Sequence, residues 1–377
     1  MSLKEVCDNI ELEIKNILEK SLNNIDISES EALKLLKTTG KEFLALQSAA
    51  NQICFNKKRD IVTFVVNRNI NFTNICYQKC KFCSFSVPKN HPDSFLLFID
   101  EVEKKVLEAS DYNITEVCMQ GGINPDLTFE YYLDILRKVK EIDSKIHIHA
   151  FSPQEIFYIS QLSQNSVEDT LKELKKAGLD SIPGTAAEML VDKIREIVCP
   201  NKISTQKWTE IVKTAHTLGI PSTSTMMYGH IESLEDRIEH LRVLREIQKD
   251  TMGFTEFVPL PFVKDNPILS LLPEKPLKPS YGMADLKLFS VARLFFNNYI
   301  DNIQCSWVKL GPKFAQVSLN YGVNDFSGTL LEENISKSAG AEFGEYLSPE
   351  EIVSIIKEAG KRPAQRTTTY DEILKYY

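Results

Sequence analysis

The spacing of apolar and polar positions changes near residue 60 of this 377-residue chain. Residues 1–60 have a helical pattern, in which Ser28 and Glu31 show the spacing of a capping box and Gly40 can end the helix that follows. Beyond residue 60, short β-rich runs alternate with amphipathic helical segments. This alternation predicts strand–helix units, and therefore parallel strands joined by right-handed crossovers.

Eight runs beyond residue 60 have the length and composition of strands. They are residues 63–74, 115–121, 145–151, 179–183, 221–228, 253–259, 303–310 and 322–326. Helical segments between them begin at the capping residues Ser166, Ser204 and Ser233. Eight strands is the number that a (β/α)8 barrel needs, so we predict an α/β fold of the TIM-barrel type. Two α/β domains are the alternative that the pattern leaves open.

We place the domain boundaries where the pattern changes. An N-terminal helical extension covers residues 1–60, the barrel covers residues 61–330, and a C-terminal helical appendage covers residues 331–377. Ser348 and Glu351 mark the start of a helix in the appendage, because they again have the spacing of a capping box.

Composition narrows the classes of protein to consider. Apolar residues make up 43% of the chain, enough for a large core, and the net charge is −8 without any long basic run. A nucleic-acid partner is therefore not expected. Apolar runs are too short to span a membrane, and the charged N-terminus lacks the apolar stretch of a signal peptide. We expect a cytoplasmic protein without a membrane partner.

Three closely spaced cysteines carry the strongest chemical signal. Cys76, Cys80 and Cys83 lie in the run NINFTNICYQKCKFCSF, with the spacing C-x3-C-x2-C. Three thiolates can hold three corners of a cubane iron–sulfur cluster, which leaves one iron without a protein ligand. An open position of this kind suits a reactive site, as it does in catalytic zinc sites.

A zinc site is the alternative for these cysteines. Structural zinc normally takes four ligands, and only His91 lies near enough in sequence to complete such a set. The remaining cysteines stand alone in the sequence, and eight in 377 residues are too few for a disulfide framework. A non-enzymatic cluster or zinc protein therefore stays open as a hypothesis of another class.

Further candidate residues follow the predicted strands, where the chemistry of such barrels collects. Gly121 and Gly122, after Gln120, allow a ligand to approach the backbone because no Cβ intervenes. Glu188 lies near the barrel mouth and could bind an ammonium or hydroxyl groups, although a glutamate there also suits a helix dipole. Gly229 and Glu232 follow the fifth strand.

Two strands carry an unusual number of polar side chains. His147 and His149 share one strand face, and we interpret them first as hydrogen-bonded structural residues. The fifth strand contains the run Ser222 to Thr225, and buried hydroxyls need partners. A polar ligand inside the barrel could supply those partners, as could backbone groups or water.

Taken together, these motifs resemble the radical S-adenosylmethionine (radical SAM) enzymes. The resemblance rests on the cysteine spacing with Phe82, on Gln120-Gly121-Gly122, and on Gly229-His230-Ile231-Glu232. It implies one 4Fe–4S cluster on the three cysteines, with S-adenosylmethionine as co-substrate on the open iron. It further implies that Phe82 packs beside the adenine, that the glycine pair meets the amino group, and that the Gly229–Glu232 region lines the adenosine site.

A closer resemblance extends over residues 60–340. Runs such as QGGINPDLTFEYY, GLDSIPGTAAEML and GFTEFVPLPF are similar to one family, which comprises the deazaflavin (FO) synthase subunit CofH and the menaquinone enzymes MqnC and MqnE. Phe72 and the pair Thr185-Ala186 favour the CofH pattern. The menaquinone enzymes, which act on futalosine-type nucleosides, remain the alternative.

The CofH resemblance implies a reaction and its partners. The chain would join the 4-hydroxybenzyl group of L-tyrosine to 5-amino-6-(D-ribitylamino)uracil, with release of 2-iminoacetate, methionine and 5′-deoxyadenosine, in the biosynthesis of FO and coenzyme F420. A low-potential electron donor and a CofG-type FO synthase subunit are the functional partners implied, because the chain has no second C-x3-C-x2-C motif.

Overall fold

The computed structural model of the chain describes residues 10–263, 269 and 278–377. Its strands are β1 (Ile61–Val65), β2 (Asn67–Asn71), β3 (Glu116–Gln120), β4 (His147–Ala150), β5 (Ser222–Tyr228), β6 (Phe254–Pro261), β7 (Asp325–Gly328), β8 (Arg362–Arg366) and β9 (Ile373–Tyr376). Its helices span Leu12–Leu22, Glu29–Leu36, Gly40–Lys58, Ile99–Ser110, Phe129–Ile142, Pro153–Ser163, Val167–Ala177, Asp192–Val198, Thr205–Thr217, Leu234–Thr251, Gly282–Phe295, Trp307–Leu310, Pro312–Ser318, Asn334–Ser338 and Pro349–Glu358.

Parallel pairing links the strands into a closed ring. β2 pairs with β3 and β3 with β4, while β5 pairs with β6 and β1 with β7. Single bridges at residues 181–182 join β4 to β5, and bridges at residues 303–304 join β6 to β7. β1 and β2 follow each other almost without a break and form one barrel position. The predicted eight-position TIM-type barrel is therefore confirmed, with two of its positions reduced to bridges.

The predicted helix starts agree with the structure, whereas Gly40 begins the helix Gly40–Lys58 instead of ending the helix before it. Ser28 forms a capping box with Glu31, and Ser348 forms one with Glu351. Each box satisfies two otherwise unpaired backbone amides at the N-terminus of its helix. In the N-terminal segment, helix Gly40–Lys58 packs against helix Gly282–Phe295, and the two share one apolar core with the barrel. Within the described ranges, every helix is too short or too polar to span a lipid bilayer.

The C-terminal segment corrects two expectations. Residues 331–377 were expected to be helical, but they also form β8 and β9, and β8 pairs in parallel with β1. The run RPAQR shows no alternation of apolar and polar residues, so only its tertiary partner makes it a strand. Strand pairing in residues 303–310 is limited to the bridges, because helix Trp307–Leu310 follows at once.

A buried ion pair holds this C-terminal segment inside the barrel. The Arg366 guanidinium contacts both carboxylate oxygens of Asp325, at 2.5 and 3.1 Å, and Thr63 donates a hydrogen bond of 2.6 Å to the same carboxylate. β8, β7 and β1 therefore meet at one charged contact. Breaking such a pair leaves an uncompensated charge in the protein interior.

We expect Arg366→Met to lower the free energy of unfolding by about 3–5 kcal/mol, because Asp325 would stay buried without its cation. Urea unfolding followed by circular dichroism measures the change. Arg362→Met is the matched control: this arginine lies in the same strand but is 56% exposed and pairs with Asp60 at the surface, so its loss should change little. Equal effects of the two substitutions would contradict the prediction.

Candidate active site

A cavity of about 410 Å³ lies inside the barrel and reaches the loops that follow its strands. Of the residues predicted from sequence, the following line it: Cys76, Cys80, Phe82, Cys83, Gln120, Gly121, Gly122 and Glu188. Gly229 and Glu232 do not line it. The structure thus brings eight of the ten predicted site residues to one cavity.

The cysteine loop is held to the barrel by backbone hydrogen bonds. The Cys76 amide donates to the Val87 carbonyl at 3.1 Å, and the Lys81 amide donates to the Val198 carbonyl at 2.8 Å. Burial raises the pKa of the Cys80 thiol to about 12 and also raises that of Cys83. Thiolates here need compensating positive charge, which the iron of a cluster supplies.

The arrangement of the cysteines also bears on the type of metal centre. Among the described residues, no three His, Cys, Asp or Glu side chains converge closely enough to hold a single metal ion. Every described cysteine is a free thiol. In a cubane cluster each cysteine binds a different iron, so its ligands need not converge on one point as zinc ligands do. The geometry of the cysteine loop is therefore compatible with a cubane cluster, and the ligand assignment stays a prediction.

Gly121 and Gly122 allow this loop to lie directly on the end of β3. A Cβ on Gly122 would stand 2.2 Å from the Ile75 carbonyl oxygen and 2.9 Å from Cβ of Cys76. A Cβ on Gly121 would stand 2.4 Å from the Phe72 ring. All three distances are shorter than a van der Waals contact. The glycine pair is therefore needed for packing of the loop, whatever it contacts in the cavity.

Beside the cysteines lies a buried ion pair that the sequence analysis missed. Lys202 contacts Glu188 at 2.5 Å, and its ammonium lies 5.4 Å from the centre of the Phe82 ring. Burial alone would lower the pKa of Lys202, but the Glu188 carboxylate and Cys80 outweigh it and raise that pKa. Lys202 belongs to no recognisable motif, so only its place in the fold reveals it.

The turn that follows β5 has a structural explanation. Glu232 is 2% exposed, accepts hydrogen bonds from the Gly229 and His230 amides at 2.6 and 2.9 Å, and pairs with Arg237 at 2.8 Å. Both carboxylate oxygens are thus engaged by the turn and by the next helix. Gly229 and Glu232 shape the chain beside the cavity instead of facing into it.

The far end of the cavity is polar. Glu256 accepts hydrogen bonds from Gln304, at 2.8 Å, and from the Tyr370 hydroxyl, and Arg366 lies 3.8 Å away. Burial raises the pKa of Glu256 to about 7, although Arg366 opposes the shift. The sequence placed Glu256 on a strand but gave no sign of its partners from the C-terminal segment.

Histidine and hydroxyl side chains complete this polar end. The Ser181 hydroxyl lies 2.7 Å from both His147 Nε2 and His149 Nδ1, in agreement with their interpretation as hydrogen-bonded residues, and only His149 lines the cavity. Of the β5 hydroxyls, Thr223 and Thr225 line the cavity and bond to the Gly184 backbone at 2.9 and 2.8 Å. The two β5 serines bond elsewhere in the protein.

Two family models match the chain. A model of the radical SAM superfamily matches residues 70–244, and a model of the CofH/MqnC C-terminal region matches residues 251–375. Three curated relatives are each named 5-amino-6-(D-ribitylamino)uracil–L-tyrosine 4-hydroxyphenyl transferase. The relative from Methanopyrus kandleri is 52% identical over 84% of this chain and 85% of its own length. The chain belongs to this family of radical SAM enzymes.

Two further relatives match at similar identity, and one of them matches almost the whole chain. The protein from Archaeoglobus fulgidus is 52% identical over 83% of this chain and 89% of its own length. The protein from Methanothermobacter thermautotrophicus is 46% identical over 97% of this chain and 99% of its own length. The family resemblance drawn from the cysteine spacing and strand-end motifs is confirmed. The contacts of individual residues with cluster and co-substrate stay predictions.

Solved structures show the same fold at low identity. Methylornithine synthase (PylB) superposes with a TM-score of 0.72 at 18% identity, over 92% of this chain and 97% of its own. HydG, a maturase of the [FeFe]-hydrogenase, superposes with a TM-score of 0.74 at 17% identity, over 98% of this chain and 79% of its own. The barrel of this transferase family member is therefore a radical SAM barrel.

We expect Gly122→Ala to impair cluster binding, because the added Cβ must displace the backbone next to Cys76. Iron affinity should fall by roughly 10-fold or more, as for other changes that misplace metal ligands. Iron and sulfide per chain after anaerobic reconstitution give the measurement. Gly344→Ala is the control: its positive φ of 88° makes an alanine locally strained, but a Cβ there meets nothing within 4 Å and the residue does not line the cavity, so iron loading should not change. Full iron loading of Gly122→Ala would refute this role of the glycine.

The raised pKa of Glu256 predicts a pH-dependent stability. The folded state binds the proton of the Glu256 carboxyl more tightly than the unfolded state does. Protonated Glu256 therefore stabilises the folded state: this contribution is complete below pH 4.5 and is lost as pH rises through about 7. Relative to the Glu256→Gln variant, the wild-type free energy of unfolding should therefore fall over that interval, as measured by urea unfolding at a series of pH values.

Glu351 provides a control of opposite sign. Hydrogen bonds from Ser348 lower its pKa, so the contribution of Glu351 to stability is present above pH 4.5 and is lost as pH falls. The difference between wild type and Glu351→Gln should change below pH 4.5 and stay constant near neutrality. If the difference in unfolding free energy between wild type and Glu256→Gln did not vary with pH, the raised pKa of Glu256 would be contradicted.

Proposed function

We propose that this chain transfers the 4-hydroxybenzyl group of L-tyrosine to C5 of 5-amino-6-(D-ribitylamino)uracil. The observation that carries the proposal is the identity of about half of all positions, over most of both chains, with relatives named for this activity. In the reaction the Cα–Cβ bond of tyrosine breaks, leaving 2-iminoacetate, and a carbon–carbon bond to the uracil forms.

Cys76, Cys80 and Cys83 would hold the 4Fe–4S cluster at one end of the cavity. When bound and reduced, the cluster supplies the electron that splits S-adenosylmethionine into methionine and a 5′-deoxyadenosyl radical. Phe82, Gln120, Gly121, Gly122 and Glu188 are the candidate contacts to the co-substrate, because they line the cavity beside the cysteines. Gly229 and Glu232 would act indirectly, by fixing the turn after β5.

The polar end of the cavity suits the uracil and its ribityl chain. Gln304, Glu256 and His149 offer donors and acceptors to a heterocyclic amide, and Thr223 and Thr225 lie beside them. The ribitylaminouracil carries no net charge, and here the Arg366 charge is already balanced by Asp325. Enclosure in the barrel keeps water away from reactive intermediates, which is the main contribution of a protein to radical chemistry.

Two functional partners belong to this proposal. A low-potential donor must reduce the cluster, and a second radical SAM activity of the CofG type must act for FO to form, since the chain holds one C-x3-C-x2-C motif. The menaquinone reactions are the second candidate, because the C-terminal family model spans both CofH and MqnC.

The decisive experiment is anaerobic reconstitution followed by product analysis. Wild-type enzyme, given tyrosine, the diaminouracil, S-adenosylmethionine and a reductant, should yield the coupled adduct, 2-iminoacetate hydrolysis products and 5′-deoxyadenosine. Cys80→Ser should abolish all three, because one corner of the cluster loses its ligand, whereas Cys305→Ser, at a buried thiol outside the cavity, should retain them. Turnover of a futalosine-type nucleoside instead of the diaminouracil would overturn the proposal in favour of the menaquinone reactions.

A further inference from the structure

Lys309 differs from the other described cations that line the cavity, Lys202 and Arg366. It belongs to the short helix Trp307–Leu310, which Trp307 anchors through a hydrogen bond of 2.8 Å to the Gly328 carbonyl. The side chain of Lys309 lines the cavity, and its ammonium forms no hydrogen bond or ion pair with any described residue. Lys202 and Arg366, by contrast, are each paired with a carboxylate.

A carboxylate faces the same space. Glu333 lines the cavity and acts on Lys309 more strongly than any other charged group, yet the two form no ion pair. Its oxygens each accept one hydrogen bond, from Asn69 at 2.9 Å and from the Ser336 amide at 2.9 Å. A carboxylate offers about four lone-pair sites, so Glu333 can accept further hydrogen bonds.

The surroundings of Lys309 indicate where in the cavity it lies. Burial in the cavity wall lowers the pKa of Lys309, because it removes part of the water around the ammonium. After Glu333, Cys83 is the next titratable group that acts on Lys309, so Lys309 lies by the cysteine loop. Val308 is next to Lys309 in sequence, and Leu330 and Ile335 lie on either side of Glu333; all three line the same cavity and offer apolar surface.

We propose that Lys309 and Glu333 bind the carboxylate and the ammonium of an amino acid, and that this amino acid is the substrate tyrosine. An unpaired cation and an anion with free lone pairs at one cavity wall complement a zwitterion. The assignment rests on the proposed function, in which tyrosine is the substrate that carries both groups. S-Adenosylmethionine carries the same aminocarboxylate group, so the experiment must separate the two.

The test pairs variants of the enzyme with analogues of the substrate. Anaerobically reconstituted enzyme is used to measure KM for tyrosine and for S-adenosylmethionine, and equilibrium dialysis gives the Kd of tyrosine, of tyramine and of 3-(4-hydroxyphenyl)propionate. Lys309→Met should raise KM and Kd for tyrosine about 10- to 100-fold, the loss expected for a charge-assisted hydrogen bond. KM for S-adenosylmethionine should change little, and Lys309→Arg should recover most of the affinity.

The analogues show which group each residue contacts. Tyramine lacks the carboxylate, so Lys309→Met should remove most of the wild-type preference for tyrosine over tyramine. The propionate lacks the ammonium, so Glu333→Gln should remove most of the preference for tyrosine over it. If Lys309 and Glu333 had only a structural role, the substitutions would weaken the binding of all three ligands equally. Lys313→Met, at an exposed lysine outside the cavity, is the matched control and should leave every value unchanged.

Three results would overturn the inference. Unchanged preferences in both variants would show that neither residue contacts the zwitterion. A rise in KM for S-adenosylmethionine alone would show that the pair holds the co-substrate's aminocarboxylate group. If the wild type forms no coupled product from tyrosine, the proposed function and this assignment fail together. If the wild type forms the product but the variants keep the wild-type preference for tyrosine over both analogues, only this assignment fails.

Discussion

Charged side chains inside the barrel are removed from water, and each one needs a partner of opposite charge or several hydrogen bonds. Arg366 with Asp325, Lys202 with Glu188, and Arg237 with Glu232 meet this requirement. The first pair fastens the C-terminal strand, the second borders the cysteine loop, and the third shapes the turn after β5. Compensation of buried charge thus organises both the scaffold and the rim of the cavity.

Against this background, the few groups without full compensation become informative. The buried thiols of Cys80 and Cys83 have raised pKa values, and they face a cavity in which a cluster would supply positive charge. The ammonium of Lys309 faces the same cavity. The three ion pairs above are complete, so we interpret these groups as the places where bound molecules would supply the missing charge.

The cavity also shows a division of chemistry along its length. Cysteines, Phe82 and the glycine pair lie in the loops that follow β2 and β3, whereas Glu256 and His149 lie within β6 and β4 and Gln304 lies at the bridges between β6 and β7. The first set matches the needs of a cluster with its co-substrate, and the second matches a polar heterocycle. A radical formed beside the first set can then reach a substrate bound in the same enclosed space, which is what a transfer between two substrates requires.

The sequence by itself determined the barrel class, all eight barrel positions, the N-caps of the predicted helices and the cysteine triad, because these depend on local periodicity and on spacings of a few residues. It did not reveal Lys202, the partners of Glu256, or β8, whose run RPAQR carries no strand pattern. Nor could it show that Glu232 is engaged by its own turn while Lys309 is left without a partner among the described residues. Those facts depend on contacts between residues far apart in the chain, which only the tertiary structure decides, because burial and charge pairing are properties of three-dimensional neighbours.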